Sequence, residues 1–435
     1  AYPAAGRVTV RPPLHRRSEG FMSRPADPHR VHRVVLLTLG VLAVLGGLGF
    51  GLMLGGVAGP AASRPAGSGL IADAGSGGVP SLGTVSSASP GPGSPAPSAS
   101  ATPSGAPGSW PSPPPSLVPA PLTGRPVTAA VAARHPIAVM IDDHSAARPQ
   151  SGFNAASVVW QAPAEGGIAR YMLVFQETIP GDVGPVRSAR SYYISWASEL
   201  RALYVHSGGS PQALAILRSK GNGQLVYNAD EFRWGGSFRR VSTRLAPHNL
   251  YTTGKQLRAL AVATGARDGP IEWPWTFTPD APMGRRPVGG RIQVSYLANT
   301  IRYDYDRVSN TYRRAVTNEK AQVDGATKQR VAPKNVVVML VRFGPLNDGS
   351  AKHRLEAQLI GSGPAWISSN GITVKGTWRK RSETGATRFY DAAGKPIALT
   401  VGQTFIQVMP YGSRMAFTAG RVAPPDPFPA GFDPR

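Results

Sequence analysis

Cysteine is absent from this sequence, and acidic residues are scarce. The missing cysteine excludes disulfides, thiol nucleophiles and cysteine-ligated zinc for this chain, and the printed sequence offers no cysteine for a lipid anchor. Only 24 Asp and Glu stand against 47 Lys and Arg, which gives a formal net charge of +23. An excess of this size bears on partners and solubility rather than on fold, and it favours anionic partners.

Charged residues are missing from the apolar stretch 34–58. The stretch is long enough to cross a hydrocarbon core of about 30 Å, and it predicts one uncleaved transmembrane helix. A cleaved signal peptide usually has a shorter apolar region, although small residues at 58–62 leave cleavage as the alternative. Residues 1–33 contain seven Arg against two acidic residues. This asymmetry predicts a basic cytoplasmic tail, with everything after the span outside the cytoplasm.

Charge is also missing from residues 74–124, where Pro, Ser, Gly and Ala dominate. A segment of this composition buries too little apolar surface to fold, so residues 59–124 are predicted to be a disordered linker. It would hold a folded region away from the membrane, and a glycosylated stalk is the alternative. Residues 1–124 hold eight Arg and three acidic residues, which leaves 39 basic and 21 acidic residues after them.

The folded region is predicted to be α+β, with residues 125–272 forming a mixed α/β domain. Short apolar runs bounded by Gly, Pro, Asn and Asp predict its strands. These runs are Ile137–Ile141, Val158–Trp160, Ile168–Phe175 and Leu203–His206. Apolar spacing of three to four residues predicts helices at 191–203, 212–220 and 255–264. Ser210 with Pro211 predicts the start of the second helix, and Thr253 with Gln256 that of the third.

The pattern changes to strands from about residue 290, after a Trp- and Pro-rich boundary at 273–286. Residues 286–410 are predicted to form a mostly antiparallel β domain, and period-two alternation is clearest at Ile301–Asp306. Residues 411–435 are predicted to be a flexible tail. Tyr303, Tyr305 and Tyr312, which lie among several arginines, favour cross-strand packing with solvated arginines over an aromatic binding surface.

Acids and histidines at predicted strand ends are the candidate catalytic residues. Asp142-Asp143-His144 follows the first strand, and its carboxylates suit general acid/base chemistry or a hard divalent ion. Turn capping is the alternative, and neighbouring strand residues point to opposite faces. The candidates are Asp142, Asp143, Glu165, His206 and His248. A structural, hydrogen-bonded role is the alternative for His248. Ser207 or Ser210 with a histidine is a weak nucleophile pair, because no G-x-S-x-G motif is present.

Arginines and a glycine loop suggest an anion site in the same domain. Guanidinium groups bind carboxylate or phosphate bidentately, and glycine loops before helices expose N–H donors. The candidate ligand-binding residues are Arg170, Arg187, Arg190, Gly208, Gly209 and Ser210. We expect Asp142 and His206 to converge with Arg187 at one mouth of the domain. The alternatives are ion pairing of the arginines with nearby acids and simple N-capping by Ser210.

The order of the longest motifs resembles a known family. The motifs are IDDHSAARPQSG, EGGIARY, GPVRSAR, YVHSGGSPQA and HNLYT, followed by YDYDRVSNTYRR, NVVVMLV and GTWRK…TRFYD…GQTFIQV. Together they resemble the YerB-like bacterial extracytoplasmic lipoproteins, whose function is not established. The resemblance spans roughly residues 134–410 and implies an α/β-type domain followed by a β-rich domain. It implies no catalytic residue, and the cysteine anchor common in the family has no counterpart here.

Three functions are consistent with these features. The leading hypothesis is a membrane-anchored, extracytoplasmic, envelope-associated protein that binds a small anion or an anionic cell-wall polymer. The second is an envelope hydrolase or transferase acting on an anionic cell-wall substrate, and the third is a scaffold for another envelope protein. We expect no metal, cofactor or nucleic acid as a partner, and the sequence does not define an oligomeric state.

The topology prediction has a direct test. A reporter that is active only outside the cytoplasm should be active when it is fused after Arg435, because the arginines precede the apolar stretch 34–58. Reporter activity in intact cells measures this. An inactive reporter on an intact fusion, or release of the mature chain into the medium, would contradict the predicted topology.

Overall fold

Residues 116–317 and 321–422 are described by a computed structural model of the chain. The strands of its first half are β1 (Leu117–Pro119), β2 (Pro126–Thr128), β3 (Ile137–Asp142), β4 (Val158–Ala162), β5 (Arg170–Phe175), β6 (Asp182–Val183), β7 (Leu203–His206), β8 (Tyr227–Asp230), β9 (Arg239–Arg240), β10 (Leu250–Thr253) and β11 (Phe277–Thr278). The helices are α1 (Ala129–Ala132), α2 (Ser191–Ser198), α3 (Pro211–Lys220) and α4 (Gly254–Thr264). The predicted mixed α/β composition of this half is confirmed.

Strands dominate the second half of the described chain. They are β12 (Arg291–Ser295), β13 (Thr300–Asp306), β14 (Thr311–Val316), β15 (Asn335–Pro345), β16 (Leu355–Gln358), β17 (Gly361–Ser369), β18 (Ile372–Lys380), β19 (Arg388–Tyr390), β20 (Leu399–Thr400), β21 (Thr404–Pro410) and β22 (Met415–Thr418). Short 3-10 turns connect elements in both halves, at Ser145–Ala147, Phe153–Ala155, Glu165–Gly167, Gly235–Ser237 and Met283–Arg285. The β-rich character predicted for the second half is confirmed.

One eleven-stranded sheet contains strands from both halves. Its order is β19, β18, β17, β15, β21, β4, β5, β3, β7 and β8, and β16 pairs with part of β15. The halves join where β21 runs parallel to β4, with Thr404 opposite Val158 and Gln407 opposite Gln161. The two regions therefore share a backbone hydrogen-bond ladder, while the boundaries predicted at 125–272 and 286–410 remain predictions.

Both faces of this sheet are buried, as the residues of β3 show. Ile137, Val139 and Ile141 belong to one apolar cluster, which also contains residues of α4 and of β12 to β14. Ala138 and Met140 belong to a second cluster, which contains residues of α2 and α3. A strand buried on both faces needs apolar residues at consecutive positions, which explains the unbroken apolar run in the sequence.

Helices α3 and α4 begin where the sequence predicts. The Ser210 hydroxyl accepts a hydrogen bond from the Ala213 N–H, and Pro211 occupies the first turn of α3. The Thr253 hydroxyl likewise caps α4, which ends at Gly265 with φ +85°. These contacts satisfy N–H groups that a helix start leaves without a partner, and glycine adopts a positive φ at a helix end without strain.

A second, four-stranded antiparallel sheet packs on the large one, in the order β14, β13, β12 and β22. Every second residue of β13 is buried, which confirms the predicted alternation. Tyr305 lies opposite Tyr312 with ring centroids 5.2 Å apart, so the predicted cross-strand tyrosine packing is also confirmed. The expectation of solvated arginines is wrong for Arg314, which is fully buried because its position shares the inward face of β14.

The structure corrects the predicted ends of the folded region. Strand β1 lies inside the predicted linker 59–124, where it pairs with β2, and nearby Leu122 is fully buried. Strand β22 lies inside the predicted tail 411–435, and Met415 packs against the core. In both places a few apolar residues within a Pro- and Gly-rich stretch find a partner strand that composition alone does not reveal.

Several predictions concern residues outside the described ones. These are the basic tail at 1–33, the span at 34–58, the linker up to 115 and the chain after 422. Within residues 116–317 and 321–422, no helix is both long and apolar enough to cross a membrane.

A buried ion pair also joins the two halves. Glu199, at the end of α2, accepts a hydrogen bond from Lys380 Nζ of β18 at 2.8 Å, and both side chains are at most 1% exposed. Thr387 donates its N–H and its hydroxyl to the same carboxylate. Burial raises the pKa of Glu199 and lowers the pKa of Lys380, so each charge depends on the other.

We expect Lys380→Ala to lower the free energy of unfolding by about 3–5 kcal/mol, because it leaves a carboxylate buried without its cation. Exposed Lys375 on the same strand is the matched control, and Lys375→Ala should change this free energy by less than about 0.5 kcal/mol. Urea unfolding of the full chain, followed by tryptophan fluorescence, measures both. Equally small effects would show that the pair contributes little to joining the halves.

Candidate functional site

Three elements bring basic side chains to the end of β3. Arg170 begins β5 and lies directly opposite Asp142, the last residue of β3. Arg187 lies at the end of a segment that pairs with β3. In this pairing the Arg187 N–H donates to the Met140 carbonyl, and the Asp142 N–H donates to the Pro185 carbonyl. His248 comes from the loop before β10. We call Asp142, Arg170, Arg187 and His248 the Asp142 cluster.

The Asp142 carboxylate contacts all three basic side chains of the cluster. Arg170 Nη1 donates to Oδ1 at 3.2 Å, and Arg187 Nε lies 3.2 Å from Oδ2. His248 Nδ1 lies 2.7 Å from Oδ2, and the His144 N–H donates to Oδ1 at 3.1 Å. The His144 ring stacks on the His248 ring at 4.4 Å, with an interplanar angle of 15°. The cluster is therefore a single acid surrounded by donors.

Burial differs sharply within the cluster. The side chain of Asp142 is 1% exposed and that of Arg170 is 10% exposed, whereas Arg187 is 26% exposed. Burial alone would raise the pKa of Asp142, but Arg170, the His144 N–H, Arg187 and His248 together lower it below its ordinary value. The carboxylate is therefore ionised at neutral pH, and Arg187 is the arginine of the cluster most open to solvent.

Asp143 points away from the Asp142 cluster, as strand alternation predicts. Its carboxylate accepts hydrogen bonds from Arg148 at 3.2 Å, Gln161 at 2.8 Å and Asn299 at 3.2 Å. The side chain is completely buried. The two adjacent carboxylates therefore serve two separate networks and do not form one acid pair.

The Asp143 network continues to a buried arginine that the sequence analysis assigned to the surface. Gln161 donates to Asp143 through its amide nitrogen and accepts a hydrogen bond from Arg314 Nη2 at 2.6 Å through its oxygen. The Arg314 guanidinium also contacts the hydroxyls of Tyr171 and Tyr303. Period-two alternation in TYRRAV places Arg314 on the same face as buried Tyr312. This alternation is the sequence feature from which the burial of Arg314 could be predicted.

Arg190 and Glu165 form an ion pair beside the cluster. Arg190 Nε and Nη2 donate to Glu165 Oε2 at 2.8 and 2.5 Å. Burial alone would raise the pKa of Glu165, but the Arg190 guanidinium lowers it below its ordinary value. Arg354 Nε lies 3.9 Å from the other oxygen of Glu165 and its Nη1 donates to Asp348 at 2.5 Å. Arg354 and Asp348 are not among the site residues predicted from the sequence.

The predicted glycine loop lies at the same end of the sheet but is bonded internally. His206 is buried, with Nδ1 2.8 Å from the Gly208 carbonyl and Nε2 2.7 Å from Asn228 Oδ1. The Gly208 N–H donates to Asp230 at 3.0 Å, and the Ser210 N–H donates to the Ala189 carbonyl at 3.2 Å. The Ser207 N–H donates to the Arg187 carbonyl, and Gly209 forms a parallel bridge with Ala189.

These contacts decide what the candidate residues can do chemically. Asp142 and Arg187 do converge, whereas the His206 imidazole is bonded to the Gly208 carbonyl and to Asn228 of β8. Each candidate acid is held by at least one arginine, so none is positioned as a free proton donor or acceptor. In the described part of the chain, no group of three or more His, Cys, Asp or Glu side chains is arranged to hold a metal ion. The arrangement is suited to binding an anion through the partly exposed guanidinium group of Arg187.

Comparison with known proteins adds a family context. The model of the protein of unknown function (DUF3048) N-terminal domain matches residues 122–267, and the DUF3048 C-terminal domain model matches residues 292–406. YerB of Bacillus subtilis (strain 168), named as a candidate lipoprotein, is 30% identical over 295 residues, or 67% of this chain and 86% of YerB. The crystal structure of Bacillus subtilis YerB matches with a TM-score of 0.61 at 26% identity, covering 69% of this chain and 99% of that chain. The resemblance inferred from the motifs is confirmed.

Asp142→Asn tests the charge balance of the cluster. We expect it to lower the free energy of unfolding by about 3–5 kcal/mol at neutral pH, because Arg170 and Arg187 lose their shared anion. The folded state lowers the pKa of Asp142 from its ordinary 3.8, so its contribution is present above that pH and is lost as the pH falls through the folded value. The gap between wild type and variant should therefore shrink at acidic pH.

Denaturant unfolding of both proteins from pH 7 down to pH 3 measures that gap. Asp268→Asn is the control, because the Asp268 side chain is 60% exposed and its nearest guanidinium nitrogen lies 3.8 Å away. A gap that stays constant with pH, or an Asp268→Asn effect as large as that of Asp142→Asn, would contradict the proposed charge balance.

Proposed function

We propose that this chain, which belongs to the DUF3048 family of proteins of unknown function, binds an anionic ligand at the Asp142 cluster. One observation carries the proposal: two guanidinium groups and an imidazole converge on a single carboxylate. Even with neutral His248, two arginines against one aspartate leave a net charge of +1. Arg170 is held by β5, whereas Arg187 and His248 lie in connecting segments. Guanidinium groups with a cationic excess are suited to binding carboxylate or phosphate groups.

The arginines have different roles in this proposal. Arg170 is nearly buried and holds the Asp142 carboxylate in place. Arg187 is 26% exposed, and its Nε lies near Asp142 without hydrogen-bond geometry. An incoming anion would compete with Asp142 for Arg187, while Arg170 would keep Asp142 ionised. Arg190 is the weaker contributor, because Glu165 already neutralises it.

Positive charge extends beyond the cluster into the segment 231–248, which includes the short strand β9. One end of this segment contacts the cluster through His248 and Asp142, and the other end is bonded to β7 through the Glu231 N–H and the His206 carbonyl. Within it, Arg244 donates to the Ala147 and Pro149 carbonyls, so these hydrogen bonds leave its charge uncompensated. A ligand with several anionic groups, such as an anionic cell-wall polymer, suits this distribution better than a single small anion does.

Catalysis at the same residues is less well supported. Although burial alone would raise them, neighbouring arginines lower the pKa values of Asp142 and Glu165, so neither is suited to donate a proton near neutral pH. His206 is buried and hydrogen-bonded on both ring nitrogens. These contacts favour binding over a hydrolase or transferase, and no observation specifically favours a scaffold.

We place the protein in the cell envelope, with its folded region outside the cytoplasm. Bacillus subtilis YerB is named as a candidate lipoprotein. This relationship supports a membrane-attached location for the present chain. The apolar stretch 34–58 would serve as a membrane anchor. The Pro-, Ser-, Gly- and Ala-rich residues 59–115, which precede β1, would then give the folded region reach into the layer outside the membrane.

Substitution of Arg187 tests the proposed site. Arg187→Ala should weaken binding of inorganic phosphate or long-chain polyphosphate by about tenfold or more, because the most accessible guanidinium of the cluster is lost. Arg187→Lys should also bind more weakly, since an ammonium lacks the bidentate fork. Titration calorimetry with the full chain measures both probes, and circular dichroism checks that each variant is folded.

Arg388→Ala is the matched control for this experiment. Arg388 is exposed on β19, at the opposite edge of the large sheet, and its loss changes the net charge equally. Binding that falls equally in Arg187→Ala and Arg388→Ala would show diffuse attraction to a basic protein. Binding that is unchanged in a folded Arg187→Ala variant would overturn the proposed site.

A further inference from the structure

The second half of the chain contains a groove that is separate from the Asp142 cluster. Its volume is about 610 Å³, and it lies between the end of the four-stranded sheet and the β17–β18 hairpin. Trp366 and Phe417 form its aromatic wall, with ring centroids 5.4 Å apart and an interplanar angle of 16°. Ile372 is 55% exposed beside them. The groove is therefore a largely apolar surface that stays open to solvent.

The wall that carries Phe417 is an edge strand. Among the described residues, β22 pairs with β12 alone. The Ser295 N–H donates to the Arg414 carbonyl, while the Tyr296 N–H donates to Asn299 on the other side of β12. In an antiparallel ladder, residues whose backbone N–H and carbonyl bond to the neighbouring strand alternate with residues whose backbone N–H and carbonyl point away from that strand. Met415 and Phe417 therefore direct their N–H and carbonyl groups to the outer edge.

The floor of the groove is part of the large sheet that the four-stranded sheet leaves uncovered. Trp366 of β17 lies opposite Lys375 of β18, and Thr373 lies two residues away on the same face. All three line the groove, and both Thr373 and Lys375 are exposed. A fifth strand added beside β22 would lie over this face, so it would gain backbone hydrogen bonds and apolar contact together.

The charge of the groove limits what that strand can be. Lys375 and Arg285 line it, and none of the described residues that line it carries a carboxylate. A strand with acidic side chains therefore complements the groove, whereas a basic strand would be repelled. Apolar side chains at alternate positions would face Trp366 and Phe417, because successive side chains of a strand point to opposite faces.

We propose that this groove is a docking site for an extended, acidic peptide segment of a partner protein, which adds to β22 as a fifth strand. The recognition would combine the outward backbone groups of Met415 and Phe417 with stacking and apolar contact on Trp366 and charge pairing with Lys375. An exposed strand edge is otherwise a hazard, because it invites pairing between copies of the same chain. The site uses no residue of the Asp142 cluster and is independent of the anion-binding proposal.

A peptide panel tests the proposal on the full chain. The panel consists of acetylated nonapeptides in which Val, Ile or Phe alternate with Asp, Glu or Lys. At least one acidic member should bind with a Kd below about 100 μM by fluorescence anisotropy, and its Lys counterpart should bind at least about tenfold more weakly. Methylation of the alternate amide nitrogens that face β22 should abolish binding, whereas methylation of the other set should not.

Two variants locate the binding. Trp366→Ala should weaken the acidic peptide by about tenfold or more. Lys375→Glu, at an exposed position that leaves the fold intact, should weaken the acidic peptide and strengthen its Lys counterpart. Arg187→Ala should leave peptide binding unchanged, so failure of one proposal is distinguishable from failure of the other.

Four outcomes would overturn the proposal. The first is that no acidic member of the panel binds, and the second is that both methylated sets bind equally. The third is that Lys375→Glu leaves the charge preference unchanged. The fourth is binding that appears only after residues 423–435 are removed, because the groove would then belong to this chain's own C-terminal segment.

Discussion

The parallel pairing of β21 with β4 holds the two halves of the described chain in one sheet. It places a strand from near the end of the folded chain beside one from near its beginning, and so joins the two halves in one sheet. With that ladder formed, the four-stranded sheet can cover one face, and α2 and α3 can cover the other. The same arrangement brings α2 of the first half next to β18 of the second half, which allows the Glu199–Lys380 ion pair to form.

Compensation of buried charge organises the polar interior around this sheet. Asp142 and Asp143 are adjacent in sequence, yet each serves a different face and a different arginine network. Gln161 links Asp143 to the buried Arg314 by using both ends of its amide. Because an unpaired buried charge is costly, these networks hold their members firmly. Arg187 differs because its side chain is only partly buried.

Much of the fold could be predicted from the sequence because the signals are local. The apolar runs at Ile137–Ile141 and Leu203–His206, the N-caps at Ser210 and Thr253, and the alternation in Ile301–Asp306 all correspond to observed elements. Strands β1 and β22 were missed because each is short and lies in a Pro- and Gly-rich stretch. Short strands gain their stability from a partner strand, which local composition does not contain.

The candidate site likewise has features that local sequence predicts and features that depend on distant strands. Local sequence signals are enough to predict which residue types stand at the strand ends, that Asp142 and Asp143 point to opposite faces, and that arginines accompany them. Which arginine contacts which acid is visible only in the folded chain: Arg170 and Arg187 lie at Asp142, whereas Arg190 lies at Glu165. The same holds for the bonding of the His206 imidazole to Gly208 and Asn228 and for the edge position of β22. The physical reason is that residue type and alternation are properties of the local chain, whereas pairing and exposure depend on which distant strands become neighbours.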